Sequence, residues 1–160
     1  MTANSPRRLL FVCTGNICRS PMAAGMARDY AQVRNWSVEV RSGGVLGLMD
    51  RPADALAVRV MGEIGIDISG HRSGGIDDAL VDWADHILVM ELNHTMRLRD
   101  RHPAAADKTL MLGNFGGMMQ VQDPIGGWRW KFRRCRDGLL HCVRGFMDQL
   151  PPPQPPVQAP

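Results

Sequence analysis

At 160 residues, with 44% hydrophobic and 22% charged residues, the chain is the size of one domain and can bury a substantial core. Its net charge of +3 is too small to argue for nucleic-acid binding, and no apolar run approaches the roughly 18 residues a membrane span needs. The apolar stretch near the N-terminus is too short for a signal peptide, so a cytoplasmic address with neither nucleic-acid nor membrane partner is expected.

Residues 1–7 are polar and expected to fray. Leu9 to Cys13 make a short apolar run suited to a strand buried on both faces; a glycine-bearing loop follows, and Pro21 opens a helical pattern to about Arg34. Ser37–Ser42 alternates Val38 and Val40 with polar neighbours and reads as a second strand, closed by Gly43 and Gly44. Asp54 caps a helix over Ala55–Ile64, and Ile76–Trp83 is a short helical segment. His86–Met90 reads as a buried third strand, Glu91–Arg101 as a helix with solvated arginines, and Thr109–Leu112 as a fourth strand. In the last helix, Trp128–Leu150, the three-and-four spacing of Trp128, Phe132, Cys135, Leu139, Val143, Phe146 and Leu150 predicts the core face. Arg129, Lys131, Arg133, Arg134 and Arg136 are left as a solvated basic face. Alternating strands and helices predict an α/β fold, a parallel sheet with helices on both faces. One domain over 7–150 and a Pro-rich disordered tail over 151–160 are expected.

Chemistry concentrates where the first strand hands over to the first helix. The pattern C-x5-R from Cys13 to Arg19, followed by Ser20 and Pro21, suits a cradle for a phosphate dianion. Backbone N–H groups of a loop before a helix N-terminus converge on one point, and the helix dipole adds positive potential there. Arg19 supplies a planar, permanently charged donor pair, and the same field favours the nucleophilic thiolate of Cys13. Ser20 is placed to donate to that thiolate, while Gly15 and Asn16 suit the left-handed angles of a tight loop. Far along the chain, Asp123-Pro124 puts a carboxylic acid on a loop, the group required to protonate a leaving atom. Cys13, Cys18, Cys135 and Cys142 show neither CxxC pairing nor Cys/His ligand spacing, so no metal and no cofactor are expected.

The whole string CTGNICRSP after a hydrophobic strand resembles the phosphate loop of the low-molecular-weight protein tyrosine phosphatase family. That resemblance implies a three-layer fold with a four-stranded parallel sheet in the order 2-1-3-4, the phosphate site lying at its switch point. It implies Cys13 as nucleophile, Asp123 as general acid and then base, and Arg19 with the loop residues Thr14, Gly15, Asn16, Ile17, Cys18 and Ser20 holding the phosphate. Ser42 and His71 would support the loop in a polar network with Asn16 and Ser20. Where tyrosine-specific relatives carry an aromatic cleft wall, this chain offers Leu48 and Met49. Cys18 is a candidate disulfide partner for an oxidised Cys13. The implied partner is a phosphorylated protein; oligomeric state stays open.

Two motifs point to different substrates. Ile17 is typical of tyrosine phosphatases and favours phosphotyrosine, whereas DPIGG and HPAAADK look closer to relatives that include protein arginine phosphatases, the alternative reading. Arsenate reductase chemistry needs further cysteines, and residues 72–90 hold none. A non-catalytic phosphate binder would dispense with the acid that Asp123 provides.

Overall fold

Leu9, Leu10, Phe11 and Val12 are fully buried and Cys13 is 2% exposed, as a strand covered on both faces requires. They belong to β1 (Arg7–Cys13), which pairs in parallel with β2 (Val38–Gly44) on one side and β3 (His86–Val89) on the other. With β4 (Thr109–Met111) joined in parallel to β3, the sheet has four strands in the order β2-β1-β3-β4. The structure, a computed structural model, describes residues 5–152. Residues 1–4 and the Pro-rich stretch from 153 onward, for which fraying and disorder are expected, lie outside the described residues. Arg7 pairs with Val38, so the fraying expected of the N-terminus does not reach it.

Among the described residues, five α-helices accompany the sheet: α1 (Arg19–Val33), α2 (Ala55–Gly62), α3 (Asp78–Trp83), α4 (Leu92–Arg101) and α5 (Arg129–Gln149). Alternate residues of β1 enter separate clusters, because side chains of a strand point to opposite faces in turn. Leu9, Phe11 and Cys13 pack with α1, α2 and α5, whereas Leu10 and Val12 pack with Val81 of α3 and Leu98 of α4. This is the three-layer α/β arrangement expected.

The first helix begins at Arg19 rather than Pro21; Pro21 falls in its first turn, where an N–H has no intrahelical acceptor to lose. Its alanines and Gly25 let neighbouring chain approach closely, since a Cβ on Gly25 would stand 2.9 Å from Ile68 Cγ2. Helix α5 buries Phe132, Leu139, Val143 and Phe146 against the sheet's α1 side, as its periodicity predicts. Two of its residues behave differently. Trp128 is the N-cap, outside the helical repeat, and is 77% exposed rather than core. Arg136 is 9% exposed rather than solvated, because its Nη1 donates to Val60 O and Glu63 Oε2, both 2.9 Å away at the end of α2. Carbonyls at a helix C-terminus carry partial negative charge and draw a guanidinium in.

Candidate active site

The loop from Cys13 to Arg19 leaves the carboxyl end of β1 and turns into α1. Asn16 makes the turn possible with φ of 57°, a left-handed angle that Asn tolerates better than most residues. Fixed donors hold the loop from outside. Val45 N–H donates to Cys13 O (3.0 Å), Leu46 N–H to Thr14 O (3.0 Å) and Asp54 N–H to Ile17 O (2.8 Å). His71 Nε2 lies 2.6 Å from Asn16 O, and since a carbonyl only accepts, Nε2 carries the proton. In a trans peptide the N–H of the next residue points opposite to the carbonyl. With four carbonyls drawn outward, the amides of Thr14, Gly15, Ile17 and Cys18 are turned toward the loop's concave side. The concave side of the loop is therefore lined with amides because its exterior hydrogen bonds draw the carbonyls away.

The polar network expected beneath the loop is present. Asn16 Nδ2 donates to Ser20 Oγ at 2.8 Å and to Ser42 Oγ at 2.9 Å, while its Oδ1 accepts from Gly74 N–H at 3.0 Å. Ser20 Oγ, already accepting from Asn16, is 3.0 Å from Cys13 Sγ, which leaves the hydroxyl proton for the sulfur. Asn16 N–H also donates to Sγ, at 3.2 Å. Two donors thus face one sulfur. Burial holds the His71 imidazole below its ordinary range.

Arg19 is 1% exposed and spans two parts of the site. Nη1 pairs with Glu91 Oε1 at 3.1 Å and donates to Val121 O at 2.8 Å; Nη2 reaches Asp123 Oδ2 at 3.2 Å and Thr14 Oγ1 at 3.3 Å. Nε is buried with no acceptor among the described residues. A buried donor without a partner is costly, so this N–H is the position on the guanidinium most in need of an anion. The structure brings Asp123 to the loop from far along the chain. Its Oδ1 accepts from Ile125 N–H at 3.1 Å, and Gly127 N–H closes the turn onto Pro124 O at 2.9 Å.

Other expected site residues separate into near and far. A Cβ on Gly15 would meet Ile17 Cγ1 and Leu48 Cδ1, each at 3.6 Å, so these two aliphatic chains converge on the loop's rim. Leu48 lies beside Gly15 of the loop, whereas Met49 is 69% exposed. The Cys18 side chain is buried toward the core, so what it presents to the cradle is its amide. Burial pushes its thiol well above the ordinary range, with Asp54 and Asp123 adding to the effect; Cys135 is pushed up to about 12, chiefly by burial.

Three residues escaped the sequence reading. Glu91 sits just past β3, as Cys13 ends β1, and adjacent carboxyl ends of parallel strands were the available signal. His94, three residues on, accepts at Nδ1 from Glu91 N–H (3.1 Å), so Nε2 carries the proton and donates to Thr14 Oγ1 at 2.9 Å. Burial, then the Arg19 charge, lowers its pKa to about 4 and keeps it neutral. Gly44 does more than close the second strand, because a Cβ there would lie 2.9 Å from Asn16 N, Gly15 C and Thr14 O. No group of His, Cys, Asp and Glu suited to a metal ion occurs among the described residues, and none of their helices is long and apolar enough to cross a membrane.

A cysteine at the end of a buried strand, a C-x5-R loop of inward amides and an arginine bridging to a carboxylate define a cysteine-dependent phosphatase. Residues 8–153 match the family described as low molecular weight phosphotyrosine protein phosphatase, and the chain belongs to that family. It is 38% identical to the protein-arginine-phosphatase of Geobacillus stearothermophilus, over 91% of this chain and 97% of that protein. It is 37% identical to a probable low molecular weight protein-tyrosine-phosphatase, EpsP, of Ralstonia solanacearum, over 91% of this chain and 94% of that one. Among solved structures, the YwlE arginine phosphatase from Geobacillus stearothermophilus superposes with a TM-score of 0.82 at 38% identity, covering 90% of this chain and 92% of that one. A low molecular weight protein tyrosine phosphatase from T. tengcongensis superposes with a TM-score of 0.86 at 34% identity, over 90% and 99%.

Proposed function

We propose that this member of the family is a protein arginine phosphatase, hydrolysing the phosphoramidate of phosphoarginine in proteins. The observation that carries the reading is the aliphatic rim, Ile17 and Leu48 converging over Gly15. An arginine side chain presents methylenes that such a rim can cover, whereas a phosphotyrosine ring would gain roughly 1 kcal/mol from an aromatic wall. Similarity to arginine phosphatases over nine-tenths of the chain supports the same substrate, as does DPIGG. This reverses the preference for phosphotyrosine drawn from Ile17 alone. Phosphotyrosine stays as the second reading on that one residue, because relatives acting on phosphoarginine tend to place a threonine hydroxyl there.

The chemistry proceeds in two steps. The Cys13 thiolate forms an S–P bond as the P–N bond to the guanidine breaks, and Asp123 gives its proton to the departing nitrogen. Asp123 then takes a proton from water, whose oxygen bonds to phosphorus as the S–P bond breaks. Inorganic phosphate leaves, and the restored thiolate meets the Ser20 hydroxyl. Arg19 Nε and the loop amides hold the phosphoryl oxygens throughout, with Glu91 and Val121 fixing the guanidinium. Residues 7–150 form the catalytic domain on this reading, working on phosphorylated proteins in the cytoplasm.

Matched peptides carrying phosphoarginine or phosphotyrosine test the substrate. The phosphoarginine peptide is expected to show a kcat/KM at least about tenfold higher, a difference of roughly 1.4 kcal/mol. Equal or reversed preference would return the assignment to phosphotyrosine.

A further inference from the structure

Between the segment carrying Asp123 and the first turns of α5 lies a pocket of about 580 Å³. Its polar lining comprises Gln120, Gln122, Asp123, Trp130, Lys131 and Arg134. The same segment separates it from the phosphate loop, since Val121 O is turned to Arg19 at 2.8 Å. Charge is unevenly spent along this part of α5. Arg133 and Arg136 are committed to Glu63, at 2.8 and 2.9 Å. Lys131 and Arg134, the two cations in the pocket, are exposed and form no ion pair among the described residues. Lys131 Nζ lies over the Trp130 ring, 5.8 Å from its centre. The carboxylate in the wall, Asp123, is paired with Arg19 at 3.2 Å. An anion entering the pocket would meet two free cations beside an aromatic face.

Contact with the acid loop is direct. A Cβ on Gly127 would stand 2.6 Å from Lys131 Cδ, so the lysine stem lies on the turn that Gly127 closes with Pro124. Whatever engages the Lys131 head therefore bears on the segment holding Asp123.

We infer that this pocket docks acidic side chains of the substrate protein that flank the phosphorylated residue. The inference deepens the proposed function and rests on its premise of a phosphoprotein substrate. Charge complementarity selects the occupant, because aspartates and glutamates beside the scissile group would neutralise Lys131 and Arg134 while the phosphate occupies the loop.

The test uses the full chain and peptide pairs that differ only in having glutamates or glutamines on both sides of the phosphorylated residue, each made with phosphoarginine and with phosphotyrosine. The readout is the acidic-to-neutral ratio of kcat/KM within one protein, so a general loss of rate in a variant cancels. For wild type the ratio is expected to be roughly fivefold at low ionic strength, as two exposed ion pairs allow, and to fall toward unity with salt. Arg134→Glu should bring the ratio to unity or below, and Arg134→Gln should lower it partway. A wild-type ratio of one on both peptide types, or a ratio unaltered by Arg134→Glu, would overturn the inference. The phosphoarginine-to-phosphotyrosine ratio from the same peptides reads the proposed function separately.

Discussion

Glu91 Oε1 lies 3.1 Å from Arg19 Nη1, so the guanidinium of the phosphate loop is anchored from the carboxyl end of the neighbouring strand as well as from the Asp123 loop. Arg19 is fully enclosed, and removing one of its charged partners leaves a less compensated cation in the core. Glu91→Gln should lower stability by roughly 1.5–3 kcal/mol, the range for hydrogen bonds to charged groups. Denaturant titration reads the first effect. Steady-state kinetics should show a fall of about tenfold in kcat/KM as the guanidinium loses its fixed geometry. Wild-type values for both would mean that Val121 O and Asp123 suffice to hold Arg19.

Cys13→Ser should have no measurable turnover of an aryl phosphate yet still bind inorganic phosphate, since Arg19 and the loop amides are untouched. Calorimetric titration with phosphate checks the binding. Asp123→Asn keeps an acceptor for Arg19 but cannot transfer a proton, and should lose about 10²- to 10⁴-fold in kcat. An active Cys13→Ser enzyme would dispose of the proposed nucleophile.

Gly44→Ala places a methyl 2.9 Å from three backbone atoms of the phosphate loop, distances that real Cβ atoms do not show. Backbone cannot swing aside as a side chain can. The loop must shift, and with it the amides on its concave side. The variant is expected to lose about 1–3 kcal/mol of stability, as overpacked sites do, and to bind phosphate at least tenfold more weakly. Gly62→Ala, where an added Cβ meets nothing within 4 Å, is the control expected to behave as wild type.

Acidification should destabilise the fold through His94. Its folded pKa of about 4 lies below the ordinary 6.5, so between these values the unfolded chain binds a proton that the folded chain does not. Stability contributed by the neutral imidazole is complete above about pH 7 and declines as pH falls through that window. The groups that set the shift are Arg19, Glu91, Asp123 and Arg97, after burial itself. His94→Gln, which can still donate to Thr14, should show a shallower dependence of unfolding free energy on pH from 6.5 to 4. Parallel curves for the two proteins would assign the acid sensitivity elsewhere.

Much of the site could be read before any coordinates. Local chemistry announced itself in CTGNICRSP, because strand, loop glycine, nucleophile, arginine and helix start are contiguous. Asn16, Ser20, Ser42 and His71 were legible through the family resemblance and meet within hydrogen-bond distance. Glu91 and His94 were not, since a glutamate after an apolar strand reads as a helix cap and a buried histidine has no sequence signature. Trp128 and Arg136 reversed their expected places, as periodicity describes the interior of a helix and is silent about its N-cap or about carbonyls on a neighbouring helix.

Strand and helix order, the buried first strand and the phosphate loop follow from residues adjacent in the chain, where backbone angles, periodicity and dipoles act over short spans. Tertiary structure alone decided how Arg19 is held, that Leu48 lies beside Gly15, and why Gly44 is a glycine. It also determined that Lys131 and Arg134, beside the Asp123 loop, form no ion pair among the described residues while Arg133 and Arg136 are paired with Glu63. Those outcomes depend on contacts between segments tens of residues apart, and only the packing of parallel strands and their helices brings such partners within reach.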